Sequence, residues 1–178
     1  ESRGLGDVYK RPKMNFAIEE GDHWLDLGGN VGTFALLVLG RGGKVVSCEP
    51  EKDNVALLRK NLSTNFKTGW KIEPVAVTTG DAKTIDLYLC KGDYNKYRHT
   101  VFERRGREKV KVKQMNIRKL LAKHPFNAIK MDIEGAEIEI LEYLTKKDYQ
   151  KIDKLVFEYS FDFDRSIPRF LKIMNHLK

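Results

Sequence analysis

The stretch His23-Trp-Leu-Asp-Leu-Gly-Gly-Asn-Val-Gly-Thr-Phe34 constrains this chain most, because a strand-length apolar run passes directly into a glycine turn and then a helical pattern. The spacing predicts a buried strand over 24–28, with Gly28 and Gly32 leaving no Cβ in the way of a closely approaching ligand. A helix starting near Val31 then aims its N-terminus at that ligand. A second apolar run, 44–49, ends in Glu49-Pro50. Strand, glycine turn, helix, strand and acid make the physical recipe for holding an adenosine-containing cofactor, with the Glu49 carboxylate accepting from a ribose diol.

The details of the turn narrow the ligand. A dinucleotide fingerprint puts glycine in the second and third slots of G-x-G-x-x-G, so that a pyrophosphate can lie on the backbone. Here those slots hold Asn30 and Thr33. The pattern D-x-G-x-N-x-G, from Asp26 to Gly32, suits a ligand that lacks a diphosphate and carries both an amino and a carboxylate group. S-adenosylmethionine has that chemistry.

Further strands are expected over 71–77, 128–132 and 154–159. Amphipathic helices are expected over 52–65, with Val55, Leu58 and Leu62 on one face, from near Glu137, and from near Ile167, where Phe170, Leu171, Met174 and Leu177 recur at helical spacing. This alternation predicts a Rossmann-like, doubly wound, mostly parallel α/β sheet. Thr84 to Cys90 and Val110 to Met115 alternate with period two instead, which predicts antiparallel strands inserted between the third and fourth parallel ones. A basic loop containing Tyr94, Tyr97, Arg98 and His99 would join them.

A second chemical cluster lies in Ile129-Lys-Met-Asp-Ile-Glu-Gly-Ala-Glu137, where a buried strand ends in Asp132 and Glu134, Gly135 and Glu137 open the next helix. Ligands of open α/β sheets bind beyond the carboxyl ends of the strands, so this cluster and the glycine turn are expected to share a crevice. Glu158, closing the fifth strand, should project into it as well. A purely structural role, Asp132 as helix N-cap and the glutamates complementing the helix dipole, competes with this reading. Asp132, Glu134 and Glu158 suit metal binding, orientation of substrate hydroxyls, or removal of a hydroxyl proton, and the residues do not separate these roles. His99 and His124 are further candidate bases.

Composition adds limits. At 178 residues the chain is read as one domain, 1–178, and since it starts at Glu1 it is expected to belong to a longer polypeptide. No apolar run reaches membrane-spanning length, so a cytoplasmic location is expected. Cys48 and Cys90 lie in predicted strands outside any metal-ligand spacing. Between Lys96 and Lys113 stand eight Lys or Arg and two Glu, which hold +6 of the formal +8. That segment reads either as a solvated edge with protective lysines or as a landing site for an anionic partner.

Taken together, D-L-G-G-N-V-G-T-F, C-E-P, I-K-M-D-I-E-G-A-E and F-E-Y resemble the FkbM-like family of S-adenosylmethionine-dependent methyltransferases over about residues 20–160. The resemblance implies O-methylation of a hydroxyl on a sugar, glycan or glycosylated metabolite, in a domain that can be fused to other glycan-modifying units. It further implies Asp26, Gly28, Asn30 and Gly32 around the methionine moiety, Glu49 on the ribose, and Ala76 and Val77 near adenine. The catalytic set would be Asp132, Glu134 and Glu158, with or without Mg²⁺. Relatives usually close the sheet with an antiparallel strand 6/7 hairpin, which this chain is expected to lack. Two other functions compete: RNA ribose methylation, motivated by the basic aromatic segment, and a non-catalytic cofactor-binding module.

Overall fold

A computed structural model describes residues 17–90, 99–159 and 167–176. Its centre is a five-stranded parallel sheet built from β1 (His23–Leu27), β2 (Lys44–Cys48), β3 (Trp70–Glu73), β7 (Ala128–Met131) and β8 (Lys154–Phe157), in the order β3-β2-β1-β7-β8. The chain winds outward from β1 through β2 to β3, then crosses to the far side of β1 for β7 and β8. β1 is the centre of that winding, and its residues Trp24–Leu27 are all buried because helices cover both faces.

Residue alternation along β1 sorts the core into two layers. Trp24 packs with Ala35, Val38 and Leu39 of α1 (Thr33–Gly40) and Leu58 and Leu62 of α2 (Lys52–Asn65). Leu25 and Leu27 face the other layer, with Ile117 and Leu120 of α3 (Ile117–Lys123), Ile138 and Leu141 of α4 (Glu137–Tyr143) and Ile173 of α6 (Ile167–His176). Three of the helices start on a side-chain cap. The Glu51 carboxylate caps α2 by accepting from Asn54 N at 2.7 Å, and Asn116 caps α3 by accepting from Arg118 N at 2.9 Å. A capping box between Thr145 and Asp148 opens the short α5 (Lys146–Tyr149).

A second, three-stranded sheet contains β4 (Ala76–Thr78), β5 (Thr84–Leu89) and β6 (Glu108–Asn116), in the order β4-β6-β5. β5 and β6 are the expected antiparallel pair, in the expected position between β3 and β7. The strand expected over 71–77 is in fact two. Pro74 has no N–H to continue the ladder, and Val75 N turns back to Glu73 O at 2.8 Å. Ala76–Thr78 thereby leaves the main sheet and pairs parallel with Gln114–Asn116. The first helix starts at Thr33, two residues later than the sequence suggests, because Gly32 takes a left-handed φ of 95°. Neither α3 nor α5 was expected. Tyr94, Tyr97, Arg98 and Leu177 lie outside the described residues. Among the described residues no strand follows β8 and no helix is long and apolar enough to cross a membrane.

Candidate active site

A cleft opens beyond the carboxyl ends of the parallel strands, where ligands of open α/β sheets bind. The turn after β1 contributes Gly28 and Asn30, and the end of β2 contributes Glu49 and Pro50. Val75, Ala76 and Val77 follow β3, Asp132 to Glu134 follow β7, and Glu158 follows β8. One side is closed by Leu87 of the inserted sheet and by His99 and Val101 of the segment that bridges to it at Thr100. Of the ten residues expected from the sequence, eight therefore line one cavity. Asp26 and Gly32 do not.

The glycines have a reason the sequence did not disclose. A Cβ on Gly28 would sit 1.9 Å from the Asp132 carbonyl oxygen, and one on Gly32 would sit 2.6 Å from a Leu58 methyl. Both absences make room for the protein itself, and let the β1 turn lie against the β7 loop and α1 against α2. Asp26 is wholly buried behind the turn, where it accepts from Ser47 Oγ at 3.0 Å and pairs with Lys130 Nζ at 3.2 Å. Lys130 also donates to Gly28 O at 2.9 Å and stands 3.5 Å from Asp132 Oδ2. Burial acts to lower the Lys130 pKa, but the Asp26 and Asp132 carboxylates more than reverse that, so the ammonium is held above its usual range. One cation thus ties the ends of β1 and β7 together.

Glu49 is almost fully buried and joins the glycine turn to the head of α2. Its carboxylate accepts from Asn30 N at 2.9 Å, from Glu51 N at 3.0 Å and, more distantly, from Asn54 Nδ2 at 3.5 Å. Burial pushes its pKa up, although these donors oppose the shift. A carboxylate has about four acceptor positions, so capacity remains for a ligand hydroxyl. Asn30 sits at φ 47°, and its side-chain oxygen is buried with no hydrogen-bond partner. An unpaired buried acceptor in a cavity wall is the clearest mark of a missing donor.

On the opposite wall Glu134 takes φ 55°, the other non-glycine residue with positive φ among the described residues. Its peptide is pinned from both sides. Glu137, 1% exposed, accepts from Ile133 N at 2.7 Å and Gly135 N at 2.9 Å, while Thr100 Oγ1 donates to Glu134 O at 2.7 Å. Glu137 therefore shapes the loop from within, and Asp132 is not the helix cap: α4 has Ala136 at that position and no side-chain cap. His99 accepts from Cys90 N through Nδ1 at 3.0 Å, and burial lowers its pKa, so it is a neutral ring with its proton on Nε2. His124 lies away from the cavity, 2.9 Å from Glu73, and is not placed to act as a base there. No group of three or more His, Cys, Asp or Glu among the described residues is arranged to hold a metal ion.

A family model described as the methyltransferase FkbM domain matches residues 26–178. Among solved structures, the chain is similar to the crystal structure of methyltransferase FkbM from Methylobacillus flagellatus KT, with 18% identity and a TM-score of 0.59. The match covers 95% of this chain and 40% of that one, a likeness of fold in which this chain spans under half of its relative's length. No curated protein matches the sequence.

Proposed function

The chain belongs to the methyltransferase FkbM domain family, and from that premise we propose that it is an S-adenosylmethionine-dependent O-methyltransferase acting on a hydroxyl of a sugar, glycan or glycosylated metabolite. The observation that carries the cofactor assignment is the unpartnered, buried Asn30 side-chain oxygen at the glycine turn. It asks for a donor, and the ammonium of the methionine moiety supplies one. The first amides of α1, which no side chain caps, suit the carboxylate of the same moiety. Glu49 suits the ribose diol, and the apolar strip Val75 to Val77 suits adenine.

When bound, S-adenosylmethionine supplies a methyl group on positive sulfur that needs no further activation. The protein's task is to hold an acceptor oxygen in line with that methyl, at roughly 3 to 3.5 Å. Asp132 is the group we assign to take the acceptor's proton as the new O–C bond forms and the S–C bond breaks. It is 41% exposed on its side chain, lines the cavity, and is held beside Lys130. Glu134 and Glu158 accept hydrogen bonds from neighbouring hydroxyls of a polyol.

Calorimetric titration with S-adenosylmethionine, S-adenosylhomocysteine and NAD tests the proposal. Micromolar binding of the first two and none of the third is expected, followed by methyl transfer in a screen of sugar acceptors. Absence of binding to either methyl-cycle ligand would remove the cofactor assignment and the reaction with it.

A further inference from the structure

Lys109, Lys111 and Lys113 occupy alternate positions on β6, and all three are exposed. Alternation puts them on one face at steps of roughly 7 Å. Directly across, on β5, stand Tyr88, Asp86 and Thr84. Asp86 is the one carboxylate at these positions, 3.2 Å from both Lys109 Nζ and Lys111 Nζ, which hold its pKa below the usual range. No ion pair reaches Lys113 among the described residues. β4 borders β6 only along Gln114–Asn116, so these lysines also flank an open strand edge. A single charge discourages edge pairing; three in register against one carboxylate accumulate repulsion beyond that need.

The other face of the same ribbon belongs to the cavity. Leu87, between Asp86 and Tyr88, lines it, as do His99 and Val101 on either side of Thr100, which bridges to Tyr88. Lys109, opposite Tyr88, is thus the rung nearest the cavity and Lys113 the farthest.

We infer that this lysine ladder is a docking track for an acidic polysaccharide, which it grips by repeated carboxylates or sulfates while a hydroxyl of the chain reaches the cavity. The delivery of a hydroxyl rests on the methyl-transfer reading; the binding does not. Three cations over roughly 14 Å match a polymer with recurring anions, whereas a small anion meets one or two of them. Lysine presents a compact charge with rotatable donors, suited to anions that arrive in varied orientations. A single-stranded nucleic acid would require a row of stacking aromatics, and the six positions of this face supply only Tyr88, half-buried.

The test measures binding of fluorescent heparin, polygalacturonate and poly(U) over a salt series, with S-adenosylhomocysteine titrated in parallel. At least one polysaccharide should bind more weakly as salt rises. The combined substitution Lys109→Ser, Lys111→Ser and Lys113→Ser should weaken it about tenfold or more and reduce the salt slope by about two to three. Asp86→Asn should tighten binding by releasing Lys109 and Lys111, an effect that misfolding does not produce. Failure of both polysaccharides to bind, binding unchanged in the triple variant, or tighter binding of poly(U) overturns the inference. Loss of S-adenosylhomocysteine binding in the unaltered protein would overturn the transfer reading alone.

Discussion

Each end of the parallel sheet holds a lysine between two carboxylates, one of them buried, and the two ends settle those charges differently. At the amino ends of the strands, Lys154 Nζ lies 2.8 Å from Asp22 and 2.6 Å from Glu19. Asp22 also accepts from Glu19 N and Asn127 Nδ2, and Asn127 in turn accepts from His23 N. None of the buried polar atoms of that clasp lacks a partner, and its one positive φ belongs to Gly21. At the carboxyl ends, Lys130 joins Asp26 and Asp132 beside an unpaired Asn30 oxygen and two non-glycine residues at positive φ. Satisfied charge marks a structural staple. Unmet hydrogen-bonding demand with local strain marks a site kept ready for something else.

The contrast predicts its largest effect at Asp132. Asp132→Asn keeps the shape of the side chain and removes a proton acceptor, so methyl transfer should fall by about 10²–10⁴-fold. S-adenosylhomocysteine affinity, measured by calorimetry, should stay within a few fold. Transfer at an unaltered rate would leave the cavity acids with no chemical role.

Exchanging the two lysines sharpens the comparison. Lys130→Met strands Asp26, which has no exposure at all, beside an apolar chain, and should cost about 3–5 kcal/mol in denaturant unfolding. It should also weaken S-adenosylhomocysteine binding, because Lys130 holds the Gly28 carbonyl. Lys154→Met leaves Asp22 its amide partners and should cost about 1–2 kcal/mol with ligand affinity unchanged. Equal losses of affinity in both variants would erase the distinction between the ends.

Acid supplies the third contrast. Burial acts to raise the Asp22 pKa, but Glu19 N, Lys154 and Asn127 outweigh it and bring it to about 2 from 3.8. A pKa lower in the folded than in the unfolded chain means stability that is present above the unfolded value and lost as pH falls through the folded one. Asp22 should therefore contribute about 2 kcal/mol above pH ~4 that disappears towards pH ~2. Unfolding curves of the unaltered protein and Asp22→Asn should converge across that window; a constant difference between them would show that the clasp does not titrate.

Much of this arrangement was readable in the sequence because it follows period and punctuation. The runs at 24–28 and 44–49, the helix over 52–65, the paired strands around 84–90 and 110–115 and the acids at strand ends all announce themselves locally. What stayed hidden depends on contacts across the fold. Pro74 could have signalled the break that sends Ala76 and Val77 to a different sheet, and Asn116 followed by Ile117, Leu120 and Leu121 carries a helix start. Nothing local, however, says that Gly28 faces the Asp132 carbonyl rather than a ligand, or that Thr100 reaches the Glu134 carbonyl.

Glu134 offers the smallest stability effect and the most telling one. A left-handed backbone costs a non-glycine residue about 1–2 kcal/mol, and here Glu137 and Thr100 hold it in place from neighbouring elements. Glu134→Gly relieves that cost but also frees the unfolded chain, so the net gain should be about 1 kcal/mol or less. A structural residue would lose nothing by the exchange. If Glu134 orients the acceptor, the glycine variant should melt slightly higher while transfer falls and S-adenosylhomocysteine affinity stays put. The two measurements must move in opposite directions, because strain tolerated at a cavity wall has a physical reason only when the side chain it aims is used.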